Sequence, residues 1–358
     1  MRLLRAEAFL SDPKFFFGVR LMPFLFLPVP VPLPVPDSLG HSPLFPPVDL
    51  SPALRYTFPV SIRGIIPALH TAFDAGGEFD AARQARLVER LIAQGVHGLF
   101  AGGSTGEFPL LSLEEREELT RTVVGACAGK VPVIVHAGAA DTRAAVRLAR
   151  HAVAEKASAV SALPPYYFHH RPPEVLDHFR AVAAASEPLP FYAYHLPQHT
   201  GVDMVPEILH GLLTIPNFAG LKWSDPDIFG LGEAVAAFGD RADVLSGRDE
   251  VLLPALTLGA RGAIGSTYNF LAPWFVSLWD SFSEGDVPAA AECQARSNRV
   301  IRVVLRPEGT LCPGKEATRW AGVDCGDPRP PLKRYSAAER RALEAELESA
   351  GLPRGGLS

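Results

Sequence analysis

The chain has 358 residues, 47% of them hydrophobic and 20% charged, with a formal net charge of -5. This balance excludes wholesale disorder and argues against a nucleic-acid partner. Its four cysteines, Cys127, Cys293, Cys312 and Cys325, show no CxxC spacing, so neither a zinc site nor a disulfide framework is expected, and a reducing cytoplasm fits.

Taken in chain order, the N-terminus stands apart. Residues 21–36 read LMPFLFLPVPVPLPVP, uncharged but broken by six prolines. A membrane helix cannot tolerate that density; Arg2, Arg5, Lys14 and Arg20 precede the run as in a signal peptide, but the prolines spoil its apolar core and no small-residue cleavage site stands out. Residues 1–57 therefore read as a disordered, polyproline-like extension, or as the product of an early start codon.

From Ile62 onward, apolar runs alternate with helical periodicity. Strands are expected over 62–70, 97–101, 131–136, 158–163, 189–194, 219–222, 243–246 and 262–266. Between them the pattern predicts helices over 80–94, after Ser112, and over 142–155, 173–186, 205–213, 227–238, 250–258 and about 273–282. Ser112-Leu113-Glu114-Glu115 has the spacing of a capping box, in which Ser and Glu satisfy two free backbone donors. Eight strand–helix units in about 225 residues match a (β/α)8 TIM barrel, with an open doubly wound sheet as the structural alternative. Beyond Gly285 the pattern is purely helical, over 287–304, 312–321 and 336–348. The expected organisation is thus an extension (1–57), a barrel with the active site (58–285) and a C-terminal helical appendage (286–358).

In a parallel barrel, active-site groups stand at the C-terminal ends of strands and in the loops that follow. After the second strand comes Gly102-Gly103-Ser104-Thr105-Gly106-Glu107, whose backbone N–H groups and hydroxyls suit an anion. A phosphate loop would need a lysine where Glu107 stands, so a small carboxylate fits better. The fourth strand is followed by Tyr166-Tyr167 and the fifth ends in Tyr194. Lys222 and Ser224 mark the end of the sixth, Gly247, Asp249 and Glu250 the seventh, and Ser266 the eighth. A lysine held at an apolar strand end is costly as a cation, and a neutral amine can attack a ketone. A tyrosine at the same rim supplies an acid/base. Asp249 and Glu250 suit hydroxyl groups, each accepting from an OH, although acidic residues are also favoured in the first turn of a helix. His169, His170, His195 and His199 read as surface or hydrogen-bonded groups rather than metal ligands.

Gly103-Ser104-Thr105-Gly106-Glu107, Tyr194-x-x-Pro197-x-x-Thr200-Gly201 and Gly220-Leu221-Lys222 resemble the signatures of the class I pyruvate aldolases that include the N-acetylneuraminate lyases and dihydrodipicolinate synthases. The resemblance covers about 62–332 and looks closest to the lyases, particularly those of animals. It implies that Lys222 forms a Schiff base with the C2 ketone of an open-chain keto acid. Ser104 and Thr105 would bind the carboxylate, and Tyr194 would take the proton from the C4 hydroxyl as the C3–C4 bond breaks. Tyr167 matches an aromatic that completes a proton relay in a neighbouring subunit. Ser224, Gly247, Asp249, Glu250 and Ser266 match positions that hold the polyol chain.

The resemblance further implies a homotetramer that needs no cofactor or metal, since the imine is the electron sink, and that takes a small keto-acid substrate without nucleic-acid or membrane partners. His199 stands where the synthases carry an arginine, which disfavours that activity. Gln198 and His199 also replace the small or apolar residues usual in the lyases, and Trp223 is bulkier than most lyase counterparts and is expected to reshape the sugar pocket. A synthase-like condensation or another sugar-acid aldolase or dehydratase is the functional alternative. A non-catalytic keto-acid-binding protein would need neither Lys222 nor Tyr194.

Overall fold

Val133-Ile134-Val135-His136 has no solvent face, and all four residues are buried. A run of this kind needs cover on both sides, as in a parallel sheet wrapped by helices. Eight such runs do this in a computed structural model that describes residues 62–307 and 309–357. The Pro-rich stretch 1–57 lies outside the described residues.

The strands are β1 (Gly64–Pro67), β2 (Leu99–Ala101), β3 (Val133–His136), β4 (Ala159–Ala162), β5 (Phe191–His195), β6 (Phe218–Trp223), β7 (Asp243–Ser246) and β8 (Gly262–Gly265). They form one sheet in the order β1-β8-β7-β6-β5-β4-β3-β2, with every pair parallel. An isolated parallel bridge between Ala68 and Phe100 brings β1 back to β2. The result is a TIM barrel. Its interior is filled by Ile66, Phe100, Ile134, Tyr192, Leu245 and Ile264 among others, a packed core rather than a pore.

The helices are α1 (Ala81–Ala93), α2 (Leu113–Cys127), α3 (Thr142–Ala154), α4 (Pro172–Ser186), α5 (Pro197–Thr200), α6 (Pro206–Leu212), α7 (Ile228–Phe238), α8 (Leu252–Thr257) and α9 (Tyr268–Ser283), followed by α10 (Val287–Val304), α11 (Leu311–Trp320) and α12 (Ala337–Ser349). The capping box at α2 is formed: Ser112 Oγ accepts from the Glu115 N–H at 3.1 Å, and the Ser112 N–H donates to Glu115 at 2.8 Å. None of the helices among the described residues is long and apolar enough to cross a membrane.

Two expectations change. The loop after β5 carries the extra turn α5, because Pro197 starts a helix that Gly201, at φ 68°, ends after four residues. Helix α9 begins at Tyr268 rather than near Pro273, so the proline lies inside it. Burial of Tyr268, Phe270 and Leu271 ahead of the proline outweighs the donor that Pro273 removes.

Candidate active site

Strand register decides which side chains share the barrel mouth. Tyr194 and Lys222 are direct partners across the β5–β6 pair, as are His195 and Trp223 one step on. Because side chains alternate along a strand, Tyr194 and Lys222 enter the interior while His195 and Trp223 turn outward. The last two rings pack on each other, 4.2 Å between centroids, and Trp223 Nε1 donates to the Asp227 carbonyl at 3.0 Å. Trp223 is therefore not a pocket wall, and the expectation that it reshapes the sugar site is corrected.

Lys222 is buried, with Nζ 4.1 Å from the centre of the Tyr194 ring and 4.4 Å from that of Phe100. Aromatic faces attract an ammonium yet leave a neutral amine free to react. The Tyr194 hydroxyl lies 3.4 Å from Ser104 Oγ. Burial disfavours its phenolate, but the Lys222 charge and hydrogen bonds from Ser104, Ser224 and Lys222 outweigh this and draw its pKa below that of an ordinary tyrosine. An amine and an acidified phenol at one rim can carry imine and proton-transfer chemistry.

The cleft above them has a volume of about 720 Å³, within the range of small-molecule sites. Its wall includes Ser104, Thr105, Tyr194, Lys222, Ser224, Gly247, Asp249, Glu250 and Ser266. Nine of the ten residues expected at the site thus meet in one cavity. The tenth, Tyr167, is 87% exposed and sits in the left-handed region at φ 83°, while its neighbour Tyr166 lines the cleft instead. The structure does not bring Tyr167 into this chain's own pocket.

Each wall residue has a local reason for its place. Ser104 and Thr105 lie on a one-turn 3-10 helix that engages the N–H groups of Gly106 and Glu107, which donate to Gly103 and Ser104 at 3.0 Å. Thr71 Oγ1 donates to the Gly106 carbonyl at 2.6 Å and so fixes the far side of that turn. Gly247 must be glycine, since a Cβ there would stand 1.8 Å from Ser224 Oγ.

Asp249 is buried, and its Oδ2 accepts from the N–H and hydroxyl of Thr267 at 2.8 and 2.7 Å. Burial pushes its carboxyl up to about 6, against the pull of the Thr267 hydrogen bonds. Glu250 is half-buried, with Arg248 Nη1 3.6 Å from its carboxylate. Gln294 and Asn298 of α10 donate to the Asp249 and Glu250 carbonyls at 3.0 Å, so this turn is held from the C-terminal helices. Those helices also supply Ile301, Val304, Leu311 and Gly314 to the wall. The C-terminal helices thus pack on the barrel as expected and also close one side of the cleft.

Two histidines were missed by the sequence reading. His136 ends β3 between Phe108 and Tyr194, with ring centroids 4.8 and 5.8 Å away, and its Nδ1 is 3.0 Å from the Gly102 carbonyl. Burial and then the Arg116 charge hold it well below the usual histidine range, so it is a neutral prop for the glycine loop. His70, at the mouth of β1, is brought to about 3 by burial and by Lys315. The signal that found the other residues, a polar group closing an apolar strand, would have found His136.

At about one-third sequence identity, the known relatives share this architecture. The Dihydrodipicolinate synthetase family model matches residues 61–350. An N-acetylneuraminate lyase of Rhizobium meliloti (strain 1021) is 36% identical, with the match covering 79% of this chain and 94% of the relative. One from Mus musculus is 35% identical, covering 80% and 92%, so the likeness is not particular to animals. The structure of Proteus mirabilis N-acetylneuraminate lyase superposes with a TM-score of 0.76 at 32% identity, covering 81% of this chain and 98% of that one. With a family model spanning most of its length and relatives matched nearly end to end, the chain belongs to the dihydrodipicolinate synthetase family and is an enzyme of the class I pyruvate aldolase kind.

Proposed function

We propose that the protein cleaves N-acetylneuraminate, or a closely related keto-sugar acid, to pyruvate and an N-acyl hexosamine. The observation that carries this reading is the Lys222–Tyr194 pair, cross-strand partners at the mouth of a cleft whose far wall offers hydroxyls and carboxylates. Lys222 attacks the C2 ketone and loses water to form an imine, while Ser104 and Thr105 hold the substrate carboxylate. Tyr194 takes the C4 hydroxyl proton as the C3–C4 bond breaks, and the bonding pair flows into the imine to give an enamine. Protonation at C3 and hydrolysis release pyruvate and restore the amine.

Several features support the finer points. His199 at the pocket wall cannot offer the fixed two-pronged charge that an arginine gives a second carboxylate, which favours a polyol partner over an amino-acid semialdehyde. The exposed phenol of Tyr167 supports a role in a neighbouring subunit of a homo-oligomer, a tetramer on the family resemblance. Four unpaired cysteines support a reducing, cytoplasmic setting.

The deciding experiment is a substrate panel. Pyruvate release from N-acetylneuraminate, with no condensation of pyruvate and aspartate semialdehyde, is expected. Robust semialdehyde turnover without sialic-acid cleavage would replace the lyase reading with a synthase while leaving the imine chemistry in place.

A further inference from the structure

Glu107 lines the catalytic cleft two residues beyond Thr105, in the left-handed region at φ 59°. Its side chain is fully buried, and so is that of Lys315 on α11, whose Nζ lies 2.6 Å from Glu107 Oε1. The other carboxylate oxygen accepts the Arg329 N–H at 2.8 Å. Lys315 rests over the Phe73 ring, 4.2 Å from its centre, and 3.4 Å from the Asp327 carbonyl. None of these atoms belongs to the Lys222–Tyr194 chemistry.

A wholly buried ion pair is weak evidence for stability, because two apolar side chains of similar volume commonly serve a core as well. The loop that carries Glu107 has an electrostatic need instead. Ser104 and Thr105 are read above as ligands for the substrate carboxylate. A bare anion two or three residues away, behind a dry wall, opposes a second anion strongly. His70 packs beside Lys315, but its imidazole is neutral, and the Arg329 guanidinium, also within reach of Glu107, is committed to Glu115. Lys315 supplies the compensating charge.

We propose that Lys315 is a positioning residue for substrate binding: by neutralising Glu107 it lets loop 103–107 accept a keto-acid carboxylate, and it ties that loop to the C-terminal helices. The inference rests on the reading of Ser104 and Thr105 as carboxylate ligands. It predicts an asymmetry that a merely structural pair would not show. Lys315→Met leaves the Glu107 anion facing the loop, whereas Glu107→Gln leaves only a cation. The double variant leaves neither.

The test is the concentration of pyruvate, and separately of its neutral methyl ester, needed to half-saturate borohydride trapping at Lys222. Lys315→Met should raise the pyruvate value about tenfold, from one uncompensated charge at reduced dielectric, and change the ester value by less than about threefold. Glu107→Gln, which leaves the Lys315 cation, should lower the pyruvate value by a comparable factor, and the double variant should recover most of the loss seen in Lys315→Met.

Equal weakening for both ligands, or a double variant no better than Lys315→Met, would overturn the proposal. If Lys315→Met does not fold, Glu107→Gln decides: its pyruvate value must fall while its ester value holds, and a rise for pyruvate or an equal change for both refutes the idea. Absence of labelling at Lys222 in the wild type would instead refute the imine reading, so the two failures are distinguishable.

Discussion

Asp249 is where the geometry most alters what a substitution should do. Its Oδ2 is already engaged by two donors of Thr267, at 2.8 and 2.7 Å, and its Oδ1 is buried beside the Tyr268 ring. Asp249→Ala would strand both donors. At about 1–3 kcal/mol for each buried group left unsatisfied, a stability loss of about 3 kcal/mol is expected, together with a roughly tenfold rise in KM for N-acetylneuraminate.

Asp249→Asn separates the two effects, because an amide oxygen can still accept from Thr267. The carboxyl is pushed up to about 6 in the folded protein, against about 3.9 in an unfolded chain. A raised acid contributes stability that is complete below the unfolded value and is lost as pH climbs through the folded one. Between pH 4.5 and 8 the wild type should therefore lose about 2 kcal/mol that Asp249→Asn does not. Urea denaturation of both proteins at the two pH values measures this. If the gap between them does not widen with pH, Asp249 is not a strained buried acid. If borohydride trapping of pyruvate at Lys222 fails in a folded Asp249→Asn, the separation of keto-acid and polyol ends is wrong.

The remaining predictions concern the chemistry itself. Pyruvate plus borohydride should add a reduced pyruvyl group to Lys222, visible as a mass increase of the peptide bearing it and absent in Lys222→Ala. Tyr194→Phe should retain imine trapping but lower kcat for cleavage by roughly 10²–10⁴, the usual weight of a positioned acid/base; loss of trapping with unchanged cleavage of pre-formed imine would reverse the assignment. Gly247→Ala should drive Ser224 from its place, since the added Cβ falls 1.8 Å from its hydroxyl, and raise KM more than it lowers kcat. EDTA should leave turnover unchanged, because the imine supplies the electron sink; activity restored by zinc or manganese would point to a class II aldolase.

The architecture and most of the rim follow from local pattern. Apolar runs without a polar face, such as Val133–His136, cannot fold except in a sheet covered on both sides, and eight of them alternating with capped helices leave little choice but the barrel. Local chemistry also marked Ser104, Thr105, Tyr194 and Lys222, because polar groups closing apolar strands converge in that fold. The rest depends on register and on distant packing. Trp223 sits next to Lys222 in sequence, yet the two-residue period of a strand sends it to the other face. Tyr166 rather than Tyr167 enters the pocket, a choice made by a loop whose backbone takes a positive φ. The C-terminal helices became part of the site through Gln294, Asn298 and Lys315, 45, 48 and 208 residues from their partners Asp249, Glu250 and Glu107. Buried polar groups must find partners wherever the chain supplies them, and no local pattern records a partner so far away.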